Sequence, residues 1–289
     1  MDVVLTLVMN GLANSALFFL MAAGLSLIFG LLRVINFAHG AFYIWGAYIA
    51  SFLYEATGSF LLAMAGGVLT GAALGWLTER LLLHRLYGAQ TQQLLMTMGV
   101  LMVLTELIKL PFGRNPVNSS APRVLTHSWL FGHFALIEFQ VLTIFAGIAV
   151  YILLQILLRK SRLGMIVRAG VQNSELVQAR GIPIHTIFTT VFTFGAALAG
   201  LAGVLAGPYF GSISPEAGMS MQLNAFIIVV LGGLGSLNGS VVGSVFVGLA
   251  TAVTSYFAPA LAVLAGVVVM AAVLVVRPEG LFGEKGGVL

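Results

Sequence analysis

The chain contains no cysteine, which excludes disulfides, thiolate nucleophiles and cysteine-ligated metals. Charge is nearly as scarce: 8 % of the 289 residues are Asp, Glu, Lys or Arg, whereas 60 % are hydrophobic. No G-x-x-x-x-G-K-[ST] run occurs, so the chain carries no P-loop for ATP. H-E-x-x-H and G-x-S-x-G are missing too, which leaves metalloprotease and α/β-hydrolase chemistry without a motif. The five histidines are scattered, where a membrane-embedded enzyme would need clustered His, Asp or Glu. Charges deep inside apolar stretches are rare, and secondary pumps commonly commit a carboxylate there. Only Glu106 offers itself for a self-sufficient carrier, and Lys109 three residues on reads as its interfacial ion-pair partner.

What is present is lipid-compatible surface. Mean hydropathy is +1.06, more apolar surface than one soluble core can hide. Residues 3–32, 34–54, 56–78, 86–105, 139–158, 181–215 and 217–276 are free of Asp, Glu, Lys and Arg, and a bilayer crossing needs about 20 mostly apolar residues. These gaps predict spans near 5–31, 37–54, 60–78, 92–110, 139–158, 187–206, 222–236, 239–257 and 259–276. The expected fold class is therefore an all-α integral membrane protein, a polytopic bundle of about 8–9 transmembrane segments. Segments 37–54 and 222–236 are the ones expected to be broken or re-entrant. The whole of 1–289 reads as a single transmembrane domain. The first apolar stretch begins at once and lacks a positive n-region, so it reads as a span and not a cleavable signal.

Five of the thirteen basic residues, Arg159, Lys160, Arg162, Arg168 and Arg180, fall between spans five and six. The positive-inside rule makes that loop cytoplasmic. Counting outward from it places the C-terminal tail with Arg277 and Lys285 inside and the N-terminus outside. Arg114 and Arg123, in the 111–136 loop, run mildly against the rule.

Three features stand out. Loop 159–186 ends with helix punctuation: Asn173 or Ser174 as an N-cap, Gly181 as a C′ residue and Pro183 forbidding continuation. Leu176, Val177 and Ala179 would give that short helix apolar groups to offer a partner; a solvated loop that only sets topology is the alternative. The second feature, Asn36-Phe37-Ala38-His39-Gly40, places polar side chains either toward a bundle interior or at the interface beside Arg33. The third, Leu231–Gly239, packs four glycines into the eight residues 232–239. It reads either as a broken helix beside a solute path or as a tight interhelical crossing. A weak internal echo aligns His39-Gly40-Ala41 with Asn238-Gly239-Ser240 at an offset of 199, and paired interruptions point to a transporter's central site.

Taken in order, GLSLIFGLLRVINFAHGAFYIWGAY (24–48), Gly164 with Arg168-Ala169 and Ala179-Arg180-Gly181-Ile182, GAALAGLAGVLAGPYFGSISPEAG (195–218), AFIIVVLGGLGSLNGSVVG (225–243) and RPEGLFG (277–283) make a specific pattern. The chain resembles the branched-chain amino acid permease family of bacterial ABC importers, specifically the shorter of that system's two permease subunits. The resemblance implies a non-catalytic translocation subunit in the inner membrane, working by ATP-driven alternating access. It implies four kinds of partner: a second homologous permease, two cytoplasmic ATPase subunits, a periplasmic solute-binding protein and membrane lipid. It implies no cofactor on this chain, with ATP and Mg²⁺ held by the ATPases. Loop 159–186 would contain the coupling helix, with Arg168, Ala169, Glu175, Ala179, Gly181 and Ile182 at the ATPase contact. Asn36, His39, Gly40, Tyr43, Asn224, Gly232 and Gly233 would line or approach the solute path. Three departures bear on the substrate: Asn224 where relatives often have lysine, Asn238 for a frequent proline, and Thr251 where some have glutamate. Related systems carry leucine, isoleucine and valine, and others carry urea, short amides or aromatic compounds.

Overall fold

A computed structural model describes residues 2–131, 134–172, 177–178, 180–181 and 183–283. Ten α-helices occur among them: α1 Asp2–Leu32, α2 His39–Thr57, α3 Phe60–Leu81, α4 Gln90–Phe112, α5 Glu138–Lys160, α6 Arg162–Gln172, α7 Ile184–Phe210, α8 Ala217–Gly232, α9 Leu237–Phe257 and α10 Ala262–Val276. Four short strands, β1 Val117–Asn118, β2 Ser128–Phe131, β3 Phe134–Ile137 and β4 Ser212–Ile213, form two antiparallel ribbons, β1 with β4 and β2 with β3. Seven helices, α1, α3, α4, α5, α7, α9 and α10 with its preceding turn, are long and apolar enough to cross a bilayer.

The two apolar helices outside that set are α2 and α8, the segments expected to be irregular. At 16 residues, α8 reaches only about 24 Å, short of the ~30 Å hydrocarbon core. It begins five residues before the expected span and stops at Gly232, because Gly233 (φ 97°) and Gly235 (φ 82°) turn the chain. In α2 the start is the unusual end. After α1 the chain reverses at Arg33, a left-handed non-glycine residue (φ 53°), and residues 33–38 double back without helical structure. His39 then meets Met21 of α1, eleven residues before the end of α1, so about 16 Å of α1 lies beyond the point where α2 starts.

Burial shows what is central. In the most apolar window of α1, 78 % of residues are buried, against 11 % for α10. Helices α1 and α7 lie antiparallel in the middle. Asn10 accepts from Tyr209 at one end, Gly24 and Gly195 meet at the centre, and Leu31 packs with Ile187 at the other end. A Cβ on Gly24 would lie 2.5 Å from the Gly195 carbonyl oxygen, and one on Gly195 would lie 2.8 Å from that of Gly24. Only glycine allows backbones so close.

The same reciprocity recurs at Gly40 and Gly218, the first turns of α2 and α8. A Cβ on either would overlap the other's carbonyl oxygen. On the two flanks, α9 runs antiparallel along α1, with Ser26 and Ser240 hydroxyls 2.6 Å apart. Likewise α3 runs antiparallel along α7 through Gly71 against Ala196 and Gly200. Helices α1–α4 and α7–α10 are thus two copies of one unit in opposite directions, the inverted repeat common in transporters. The echo at offset 199 is not this repeat. The counterpart of Gly40 is Gly218, while Asn238 starts α9 and binds Tyr151 (3.1 Å) and Gln155 (2.6 Å) of α5. The true repeat is carried by chain direction and glycine contact.

Among the described residues, Arg33, Arg80, Arg85, Arg159, Lys160, Arg162, Arg168, Arg180 and Arg277 lie at the ends where α1, α3, α5 and α10 finish and α7 begins. This is the basic face. The β1–β4 ribbon, Glu55 and Arg123 belong to the opposite face.

Candidate functional site

The polar centre of the protein is where the two helix starts cross. Asn36, His39 and Gln222 are all fully buried. Gln222 Nε2 donates to the Asn36 carbonyl at 3.1 Å, tying the extended segment before α2 to α8. His39 Nε2 donates to the Met21 carbonyl at 3.2 Å, which fixes the proton on that nitrogen in the neutral ring. Both polar atoms of the Asn36 amide, His39 Nδ1 and Gln222 Oε1 have no partner among the described residues. Each buried orphan costs about 1–3 kcal/mol, so stability is given up at the point where two interrupted crossings meet. Tyr43, one turn along α2, is also buried, and its carbonyl packs on Gly203 of α7. Asn36, His39, Gly40 and Tyr43 therefore come together, and they lie in the interior, the first of the two settings weighed for this segment.

Asn224 is on a different face of α8. It is half-buried, and its Oδ1 lies 3.6 Å from the space a Cβ on Gly266 of α10 would fill. Exposed Met219 and Leu223 lie on the same helix. At the head of α8, Glu216 reaches Lys109 of α4 at 3.3 Å, and Lys109 also binds Glu106 at 2.7 Å. The Glu106 side chain is 68 % exposed, so it is no buried relay. Among the described residues, the buried carboxylate is Glu79. It lies one residue beyond the expected span 60–78, inside α3, which continues to Leu81.

Gly232 and Gly233 are not near this centre. Gly232 packs against Gly239, and Gly233 against the backbone of Phe282 and Gly283, while Leu281 and Phe282 amides donate to the Leu231 and Gly232 carbonyls at 2.9 and 3.0 Å. The glycine run is a tight crossing on the basic face that also seats the C-terminal RPEGLFG segment.

Of the residues expected at an ATPase contact, Arg168 and Ala169 are exposed on α6. The Arg168 guanidinium donates to the Leu158 carbonyl near the C-terminus of α5, a favourable place for a cation. Gly181 is exposed and left-handed (φ 78°), as a C′ residue should be. Val177 is buried, not displayed as expected; its apolar side chain is taken up by the protein itself. Glu175, Ala179 and Ile182, with the cap candidates Asn173 and Ser174 and the neighbouring Leu176, lie outside the described residues.

Three candidate residues escaped the sequence reading. Gln222 sits in a charge-free stretch, and a lone amide in an apolar helix was the available signal. Glu79 and Tyr87 are eight residues apart across a turn and form a hydrogen bond; nothing in their spacing announces it.

Two interrupted crossings meeting in an inverted repeat, with a buried polar knot between them, define a polytopic α-helical transport protein. Comparison with known proteins makes this specific. Residues 7–277 match the family described as branched-chain amino acid transport system / permease component. The chain is 29 % identical to the high-affinity branched-chain amino acid transport system permease protein LivH of Escherichia coli K12, over 95 % of this chain and 94 % of the relative. The corresponding protein BraD of Pseudomonas aeruginosa is also 29 % identical, with the same coverage. The ribose import permease protein RbsC of Escherichia coli K12 is 25 % identical over 92 % of this chain and 84 % of its own length. No solved structure matches. The chain belongs to the branched-chain amino acid transport permease family and is a membrane permease of an ABC importer.

Proposed function

We propose that this chain is the translocation subunit of an importer for branched-chain amino acids or related small solutes, switching between inward and outward states as partner ATPases close and open. The observation that carries the reading is the match of a permease component to residues 7–277 in a chain that has no P-loop. In this reading energy comes from another subunit. The assembly would hold a second homologous permease, two cytoplasmic ATPases with ATP and Mg²⁺, and a periplasmic binding protein, in the inner membrane with the basic face and the C-terminus cytoplasmic.

Within it, α6 and the segment through Gly181 and Ile182 seat in the ATPase groove, with Arg168, Ala169, Glu175 and Ala179 at the contact. Solute passes along the side of α8 that carries Asn224, and the Asn36–His39–Gln222 knot, with Gly40 and Tyr43, is the element that rearranges beside it. Gly232 and Gly233 serve the path indirectly, by fixing where α8 ends. A cavity of about 660 Å³ between the α2–α3 hairpin and residues 119–124, with Ser51, Tyr54, Glu55 and Arg123 in its wall, faces the side from which a binding protein would deliver solute. Urea, short amides and aromatic compounds are the alternative cargo.

The test is affinity purification from gently solubilised native membranes. Stoichiometric recovery of a P-loop ATPase and a second permease is the expected result. Recovery of the chain alone, still moving solute in liposomes without ATP, would replace the importer with a self-sufficient carrier.

A further inference from the structure

On the basic face, the buried carboxylate of Glu79 is the acceptor for the Tyr87 hydroxyl. Its second oxygen has no partner among the described residues. A buried, singly bonded carboxylate is expensive, and nothing in the central polar knot uses it. Burial first, then the hydrogen bond and charge of Glu79, push the Tyr87 phenol above its ordinary range, so it remains a donor across the physiological range.

The surroundings of Tyr87 give this bond a place in the chain of contacts. Its ring lies 5.1 Å from Phe188 and 5.7 Å from His185, and His84 completes the stack 5.4 Å from His185 (all centroid distances). Phe188 also packs on the apolar cluster of Leu31, Val167 and Ile187, together with Ile166. Val167 and Ile166 belong to α6, whereas His185, Ile187 and Phe188 are the first turns of α7, directly after Pro183. Gly88, left-handed at φ 89°, follows Tyr87 and turns the chain into α4. A continuous packed line therefore runs from α6 through Phe188 to Tyr87, and from Tyr87 to Glu79 inside α3. From there α3 meets α7 with backbones in contact at Gly71 and Gly200, so a shift of one cannot be absorbed by side chains.

We infer that the Tyr87–Glu79 contact, braced by Phe188, is the joint that passes displacement of the α6 segment to α3, α4 and α7. Glu79 and Tyr87 are thus positioning residues for coupled transport. The inference rests on the importer reading above, because it needs an ATPase to move α6. It requires a hydrogen-bond acceptor at 79 and a donor at 87, not a charge at either.

The experiment uses the full assembly in proteoliposomes and reads solute taken up per ATP hydrolysed. Tyr87→Phe and Glu79→Leu are expected to co-purify with the ATPase and to hydrolyse ATP, with uptake per ATP reduced about two- to thirtyfold, the range for coupling residues. Glu79→Gln keeps a carbonyl acceptor and is expected to retain the wild-type ratio. Phe188→Ala, which leaves the hydrogen bond in place, is expected to uncouple as well. An unchanged ratio in Tyr87→Phe and Phe188→Ala overturns the joint, as does a Glu79→Gln variant as impaired as Glu79→Leu. If the wild-type chain recruits no ATPase, the importer reading itself has failed and the joint falls with it; variants that recruit ATPase and stay coupled refute the joint alone.

Discussion

Three side chains carry most of the chemistry available at the centre, and each is held for a different reason. His39 is anchored by α1, Gln222 ties α8 to the extended segment, and Asn36 is buried with its amide unanswered. Removing Gln222 as Gln222→Leu breaks the 3.1 Å bond to the Asn36 carbonyl and strands it. The substitution also removes the unpartnered Gln222 Oε1, so two effects of about 1–3 kcal/mol each oppose one another, and the expected outcome is a thermal midpoint in detergent that stays nearly the same together with slower uptake. Unchanged uptake would show that the tie between α8 and the extended segment plays no part in transport. The glycines beside it are steric requirements. Gly218→Val must push against the Gly40 carbonyl oxygen, and overpacking of this kind costs about 1–3 kcal/mol. Gly99→Ala meets nothing within 4 Å and, inside α4, should hold or raise the midpoint, because alanine is the better helix former by about 1 kcal/mol; the pair of variants separates backbone contact from a general intolerance of added methyls.

At the level of elements, charge-free stretches located the long crossings because lipid demands about 20 apolar residues and α1, α3, α4, α5, α7 and α9 obey that directly. Of the two segments expected to be irregular, 222–236 falls in a 16-residue helix that stops at a glycine turn, while 37–54 lies in a continuous 19-residue helix entered by a non-helical return along α1. Their exact form was not legible, because the return of residues 33–38 along α1 depends on contacts with Met21 and Gln222 that no local pattern encodes. The glycine run 231–239 was legible as a place of close approach, but its partners, Gly30 of α1 and the C-terminal Phe282 and Gly283, are distant in sequence. The α6 segment supplies an element-level prediction. Gly170 is buried with Leu31 and Ile184 methyls 3.1 and 3.3 Å from where its Cβ would be. Gly170→Leu should therefore lift α6 from α1 and α7. With the permease still folded by circular dichroism, the expected outcome is weaker ATPase co-purification at unchanged expression. Full retention of the ATPase would show that docking does not depend on how α6 is seated.

For the whole molecule, the inverted repeat and the charge asymmetry give independent information about how the protein sits in the membrane. The repeat makes the two halves run in opposite directions, so by itself it is neutral about which face is inside. The charges are not neutral, since nine of the described basic residues gather at one face, while Lys109, Arg114 and Arg123 lie toward the other. Lys109 is moreover bound to Glu106 and Glu216, which reduces its weight in the comparison. The positive-inside rule then puts the basic face in the cytoplasm, where α6 would meet an ATPase. A chain without cysteine allows a direct measurement with a single introduced thiol. Val124, 85 % exposed, reports the opposite face as Val124→Cys, and Ala169, exposed on α6, reports the basic face as Ala169→Cys. With a membrane-impermeant maleimide on spheroplasts, Val124→Cys should label and Ala169→Cys should not, and inverted vesicles should exchange the two. The reverse pattern would turn the molecule over, placing α6 where no cytoplasmic ATPase can reach it, and the coupling assignment of Arg168 and its neighbours would have to be abandoned.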